Sequence, residues 1–191
     1  YMRSQFKTWT SLGILNITAV SEAGVPTYGT PILLPGTVSL TFDNDQTSDP
    51  FYADGEAYFT PAGASSYTGT LENALFSKEV LKEIYNYVED KNGNLLETTD
   101  APFEFGMQFA CDSDDGDVYF TYYRVSSNKP GLNLQTSESS ATINPQSVSL
   151  TASPVTLADG TTKVIKGFAT KEASNYSTYF TAITLPEKKS V

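Results

Sequence analysis

The chain has 191 residues, with 22 acids, 12 bases, one cysteine and no histidine, for a net charge of −10. Those counts exclude a Ser-His-Asp triad, an imidazole base, histidine metal ligands, an internal disulfide and the Cys₄ or Cys₂His₂ zinc sites. The length suits one domain with a full core, and 44 Ser and Thr together with 12 Tyr and 11 Phe favour strands over helices.

The first strand candidate is Trp9–Val20, followed by a Gly- and Pro-bearing stretch at Gly24–Pro31. Gly36–Phe42 (GTVSLTF) alternates with period two: Val38, Leu40 and Phe42 share one face, Thr37, Ser39 and Thr41 the other, as in a half-buried strand. The acidic loop Asp43–Asp49 (DNDQTSD) comes next, then strand candidates at Glu56–Thr60 and Tyr67–Leu75 on either side of Pro61–Gly63. Ser77–Tyr87 breaks the pattern. Val80, Leu81, Ile84, Tyr85 and Val88 fall on one helical stripe, Ser77 is a good N-cap and Glu79 suits the positive end of the dipole. A helix is expected over about 77–88. A single amphipathic helix among about nine strands has to cover an open end or face of a sandwich or barrel.

Asn92-Gly93 marks a tight turn. In Phe103–Cys111 the side chains of Phe103, Phe105, Met107, Phe109 and Cys111 share one face and Glu104, Gly106 and Gln108 the other, which makes Cys111 a core thiol. Asp115-Gly116 then turns the chain into the strand Asp117–Ser126. Further strands are expected at Gln146–Ser153, Thr162–Thr170 and Tyr176–Thr184, separated by Pro130-Gly131 and Asp159-Gly160. No fixed-period repeat occurs, and no linker splits the chain into domains. The loops DSDDGD and DNDQTSD gather the carboxylates that calcium favours. The first lacks EF-hand order, because Gly116 falls fifth and no Glu stands twelfth, and no metal is expected at either.

The acidity is concentrated. Residues 1–41 carry +1, residues 42–117 carry −14 from 17 acids and three lysines, and residues 118–191 carry +3. One strongly acidic surface repels nucleic acid or steers cations, and it argues against a sequence-reading DNA or RNA binder. No apolar stretch approaches the ~20 residues of a membrane helix. Nothing marks the chain for export, and a lone cysteine fits a reducing cytosol. There is no nucleotide-binding glycine loop and no nucleophile elbow. No acid pair is singled out for glycoside hydrolysis, and Ser77-Lys78 reads as a helix start rather than a nucleophile. Tyr119, Tyr122 and Tyr123 could form a sugar-binding platform, but a core or interface role is expected of them. The residues alone describe a β-rich domain that is not an enzyme.

The order VPTYGTP (Val25–Pro31), PGTVSLTF (Pro35–Phe42), FYADGEAYFT (Phe51–Thr60), YTGTLENALFSKEVLKEIY (Tyr67–Tyr85), EDKNGNLLE (Glu89–Glu97), FEFGMQFACDSDDGDVYFTYYRVS (Phe103–Ser126) and SVSLTASP (Ser147–Pro154) resembles the major tail, or tail tube, proteins of long-tailed bacteriophages, especially those of Gram-positive hosts. The resemblance covers roughly residues 25–155 and rests on order and spacing rather than on any one piece. It implies a mainly β fold, a sandwich or barrel with one flanking helix, as a single domain over 1–191. It also implies six-membered rings stacked into a hollow tube whose inner wall is a barrel shared by all six subunits. The implied partners are further copies of the chain, the tape measure protein within, the tail terminator and distal tail proteins at the ends, and passing DNA without specific binding. The implied location is the virion, after synthesis in the host cytoplasm. Neither catalytic residues nor a cofactor, metal or membrane is implied.

Such a lumen is expected to carry the acidic charge, because an acidic wall repels phosphate. The arms at about 1–8 and 170–191 and the loop at about 43–66 are expected to serve assembly. In that loop Phe51, Tyr52, Asp54, Tyr58 and Phe59 are the candidate contacts to a neighbouring subunit or the next ring. The competing readings are a cell-surface or fibre-type β-sandwich and a carbohydrate-binding module.

Overall fold

A computed structural model describes residues 16–19, 26–45, 51–53, 56–59, 65–111, 116–132 and 144–189. Within them the chain is mainly β. Its strands are β1 (Asn16–Ala19), β2 (Ile32–Leu33), β3 (Thr37–Asn44), β4 (Phe51–Ala53), β5 (Glu56–Phe59), β6 (Tyr67–Asn73), β7 (Tyr87–Glu89), β8 (Leu95–Glu97), β9 (Phe105–Cys111), β10 (Val118–Ser127), β11 (Gln146–Ala152), β12 (Val155–Thr156), β13 (Lys163–Val164) and β14 (Lys166–Ala169). One helix, α1 (Lys78–Glu83), and one 3₁₀ turn, Tyr176–Thr181, complete the described elements. The expected count of about nine strands is exceeded because several ladders are only two or three residues long.

The main sheet is antiparallel, in the order β2-β1-β9-β10-β11-β6-β3. β14 pairs with Tyr119–Tyr122 of β10, while β11 pairs with Val125–Ser127 of the same strand. The register of β10 against β9 shifts between Tyr122 and Val125, and such a bulge bends a strand and raises its twist. The two ends of the path, β2 and β3, are consecutive in the chain and joined by Leu34–Gly36 alone. A sheet whose outer strands are so closely linked has to curl until its ends approach, and Leu34, 1% exposed, fills the core at that seam. Phe42 of β3 stacks on Tyr122 of β10 at 4.1 Å, a contact between strands far apart in the sheet order, and Tyr122 in turn stacks on Phe109 of the adjacent β9 at 6.1 Å.

The core follows the alternation. Leu40, Leu71 and Val148 stand side by side on β3, β6 and β11, with Phe42, Gly69 and Leu150 in the next row. Gly69 permits this closeness: a Cβ there would lie 1.9 Å from the Thr41 carbonyl oxygen. Helix α1 covers one end of the curled sheet, as a lone amphipathic helix should. Ser77 Oγ accepts from the Val80 amide at 3.3 Å, Val80, Ile84 and Tyr85 are fully buried, and Tyr85 Oη bonds Ser127 Oγ at 3.1 Å. Burying each such side chain stabilises the fold by about 1.5–3 kcal/mol. A turn at Gly93 joins β7 to β8 at the expected place, and Gly116, two residues before β10, takes a positive φ of 110°, while 112–115 lie outside the described residues.

Five expectations change. The helix stops at Glu83 rather than near residue 88, because Asn86 takes a left-handed φ of 57° and Thr98 Oγ1 donates to its carbonyl at 2.7 Å, fixing the exit into β7. Val38 is 50% exposed instead of buried, since the β3–β6 register shifts between Thr37 and Ser39. The polar face of β9 is not exposed. Gly106 and Gln108 are buried under the C-terminal segment, where Gln108 Nε2 donates to the Tyr179 carbonyl at 2.9 Å. Phe103 falls outside that strand and is half-exposed.

Finally, Tyr176–Thr184 is not a strand. A 3₁₀ turn brings Tyr176, Tyr179 and Phe180 around Tyr119 at 4.3, 5.5 and 4.6 Å. Beyond it Ile183 joins Tyr123 and Val155 in a second, smaller core that Tyr28 closes, its hydroxyl donating to the Tyr123 carbonyl at 2.6 Å. Of Trp9–Val20, Asn16–Ala19 is a strand; the remainder, and the arm at 1–8, lie outside the described residues.

Candidate functional site

The alternation that sends Leu40, Leu71, Val148 and their neighbours inward sends an all-polar set outward. Ser39, Glu72 and Ser147 form one row across β3, β6 and β11; Thr41, Thr70 and Ser149 form the next; Asp43, Thr68 and Thr151 form the third, which Ser126 of β10 extends. None of these is buried and none is apolar. Hydrogen bonds tie the grid together: Ser39 Oγ donates to Glu72 Oε2 at 2.8 Å, the Thr70 amide donates to Thr41 Oγ1 at 3.3 Å, and Thr68 Oγ1 donates to Asp45. The grid is a hydroxyl surface with carboxylates set along its β3 side.

Strand β3 ends the sheet, and among the described residues no strand pairs with its outer edge. The Asp45 amide donates to the Ser66 carbonyl at 2.8 Å. By alternation the amides of Asp43 and Thr41 also turn toward β6, while those of Leu40, Phe42 and Asn44 turn to the open edge. Eight residues of unpaired edge without a proline or a lysine are a template for pairing with another chain.

The rest of the acidity lies elsewhere. Glu79, Glu83, Glu89, Asp90 and Glu97 belong to α1 and the β7–β8 hairpin, and Asp100 to the connection that follows β8. There Lys82 pairs with Glu89 at 2.8 Å, which lowers the carboxyl pKa of Glu89 and raises the ammonium pKa of Lys82. Glu104 pairs with Arg124 at 2.7 Å. Among the described residues, the acids of 42–117 are therefore spread over several surfaces rather than one.

Of the loop candidates, Phe51 and Tyr52 lie in β4, and Tyr58 and Phe59 in β5. The backbone pairs Phe51 with Phe59 and Tyr52 with Ala57, with a register shift between them. Asp54 lies outside the described residues, as do 46–50 and 112–115 of the two acidic loops. Among the described residues no cluster of three metal-ligating side chains occurs, and no helix is long and apolar enough to cross a membrane. Tyr122 and Tyr123 are buried and Tyr119 is stacked on Tyr176, so the three form no open sugar platform. Cys111 is a free, partly buried thiol against the core, and burial pushes its pKa up.

The polar grid was not singled out from sequence. Its signal was present, in the Ser/Thr alternation of Ser39–Thr41, Thr68–Glu72 and Ser147–Thr151, but only the register shows that the three runs are neighbours. No family model matches the chain, and no curated protein matches it.

Proposed function

We propose that this chain is the repeating subunit of a bacteriophage tail tube, a structural protein that works by self-assembly rather than catalysis. The observation that carries the reading is the combination on β3 of an open eight-residue edge with an all-polar outer face continuous across β6 and β11. Pairing that edge with a neighbouring copy extends the sheet, and a head-to-tail contact repeated around an axis closes a ring. The polar grid then lines the interior. Its carboxylates, Asp43, Asp45 and Glu72, repel phosphate, and its hydroxyls offer no apolar hold to passing DNA. The charge assigned to the lumen thereby narrows from the whole of residues 42–117 to these positions.

Negative-stain electron microscopy of the purified chain at rising concentration tests this. Six-fold rings or stacked tubes about 100 Å wide are expected, since barrel diameter grows with strand number. Monomers alone at every concentration up to the millimolar range count against it.

A further inference from the structure

The aromatic stack of the core runs out to the surface at β14. Phe109 is 8% exposed, Phe120 beside it at 5.5 Å is half-buried, and Phe168, cross-strand from Phe120 at 6.2 Å, is 65% exposed. This shelf is basic at its rim. Lys163, Lys166 and Lys171 bracket the strand with no acid among residues 163–171, and Lys166 Nζ lies 4.7 Å from the Tyr67 ring. Among the described residues β14 pairs only with β10, so its other edge is open as well.

The loop at 43–66 has the opposite character. It holds five acids and no base, and it carries Phe51, Tyr52, Tyr58 and Phe59 on a two-stranded ribbon. A two-stranded ribbon on its own is marginal at best in water and needs a surface to pack on. Within the single chain, the shelf nonetheless keeps Phe168 largely exposed.

We propose that the Phe120–Phe168 shelf receives the Phe51–Phe59 hairpin of a second copy of this chain, aromatic rings meeting aromatic rings and the hairpin's acids meeting the lysine rim. The proposal rests on the tube reading and deepens it by naming the two surfaces that meet.

The test joins Phe168→Cys and Tyr52→Cys, each in a Cys111→Ser background. The two single-cysteine chains are mixed, allowed to assemble and oxidised mildly. A disulfide-linked heterodimer on a non-reducing gel is expected. Phe168→Ala, at a position exposed enough to leave folding intact, is expected to raise the concentration needed for assembly about tenfold, the effect of losing one good aromatic contact. Rings in the microscope without the heterodimer overturn this pairing and leave the tube reading standing. Heterodimer without rings supports the pairing and overturns the tube. In a chain carrying both cysteines, an intrachain disulfide alone shows that the hairpin covers its own shelf, and this too overturns the proposal.

Discussion

Replacing Gly69 with alanine adds one methyl group where β6 runs closest to β3. That carbon would stand 1.9 Å from the Thr41 carbonyl oxygen, 2.9 Å from its carbon and 3.0 Å from Phe42 Cδ1, where ordinary contact begins at 3.4 Å. The obstacle is backbone, so no side chain can swing aside, and β3 has to retreat by about 1.5 Å, the gap between those two distances. Alanine favours the folded state by about 0.5–1 kcal/mol, since glycine loses more freedom on folding. Against that stand overpacking, about 1–3 kcal/mol, and two weakened ladder hydrogen bonds at about 1 kcal/mol each. The clash wins, and Gly69→Ala is expected to cost about 3 kcal/mol. For a chain of this size that lowers Tm by roughly 6–12 °C and displaces the edge proposed for ring closure. Thermal unfolding followed by circular dichroism, with electron microscopy of the same sample, measures both effects. A variant with the parent's Tm and tubes of normal width would refute the close-approach argument.

Asn44→Pro removes an amide that faces the open edge while the ladder to β6 keeps its bonds, so the variant should fold with nearly the parent's Tm yet form no rings; normal rings would show that this edge is not used. Ile84→Ala empties a fully buried position beneath helix α1 and should cost about 2–5 kcal/mol in urea unfolding; a loss under about 0.5 kcal/mol would mean the helix does not seal the core. Asp159 accepts bonds from the Thr162 hydroxyl and from the amides of Thr162 and Thr161, which hold its pKa down at about 2. A depressed folded pKa gives stability that is complete above the unfolded value of 3.8 and disappears as pH falls through about 2. An NMR titration of that carboxyl should show its midpoint there, and a midpoint at 3.8 would show the turn to be open.

Where a strand with one wet and one dry face keeps an unbroken register, period-two alternation reports it; Val38 at the shifted start of β3 is the exception. β6, β10 and β11 lie within a residue or two of their expected ranges, and the Asn92-Gly93 turn falls where glycine supplies a positive φ. The pattern failed where tertiary contacts decide. Tyr176–Thr184 is rich in β-favouring residues, yet the three rings at 176, 179 and 180 have helical spacing, and gathering them around Tyr119 outweighs strand propensity. Gln108 reads as a solvent-facing residue, and nothing local announces that the C-terminal segment folds over it. The surface proposed for assembly was legible only in fragments. The hydroxyl alternation and the aromatic loop are visible in sequence, but the adjacency of β3, β6 and β11, and the exposure of Phe168, follow from long-range register.

The seam between β2 and β3 bears on the order in which the molecule forms. Across it the chain passes from one end of the sheet to the other through Leu34–Gly36, while Asn16 in β1 finds its partner at Gln108 and β10 follows β9 directly in the chain. Local pairings form before those that must close long loops. The antiparallel pair of β9 and β10 therefore organises early, and the pairing of β1 with β9 comes later. Pulse-labelled hydrogen exchange during refolding should find the amides of β9 and β10 protected before those of β1; simultaneous protection would contradict this order. Until β1 docks, that edge of β9 stands open to every other chain being made nearby. Each molecule therefore gains by docking its own β1 faster than it meets a neighbour.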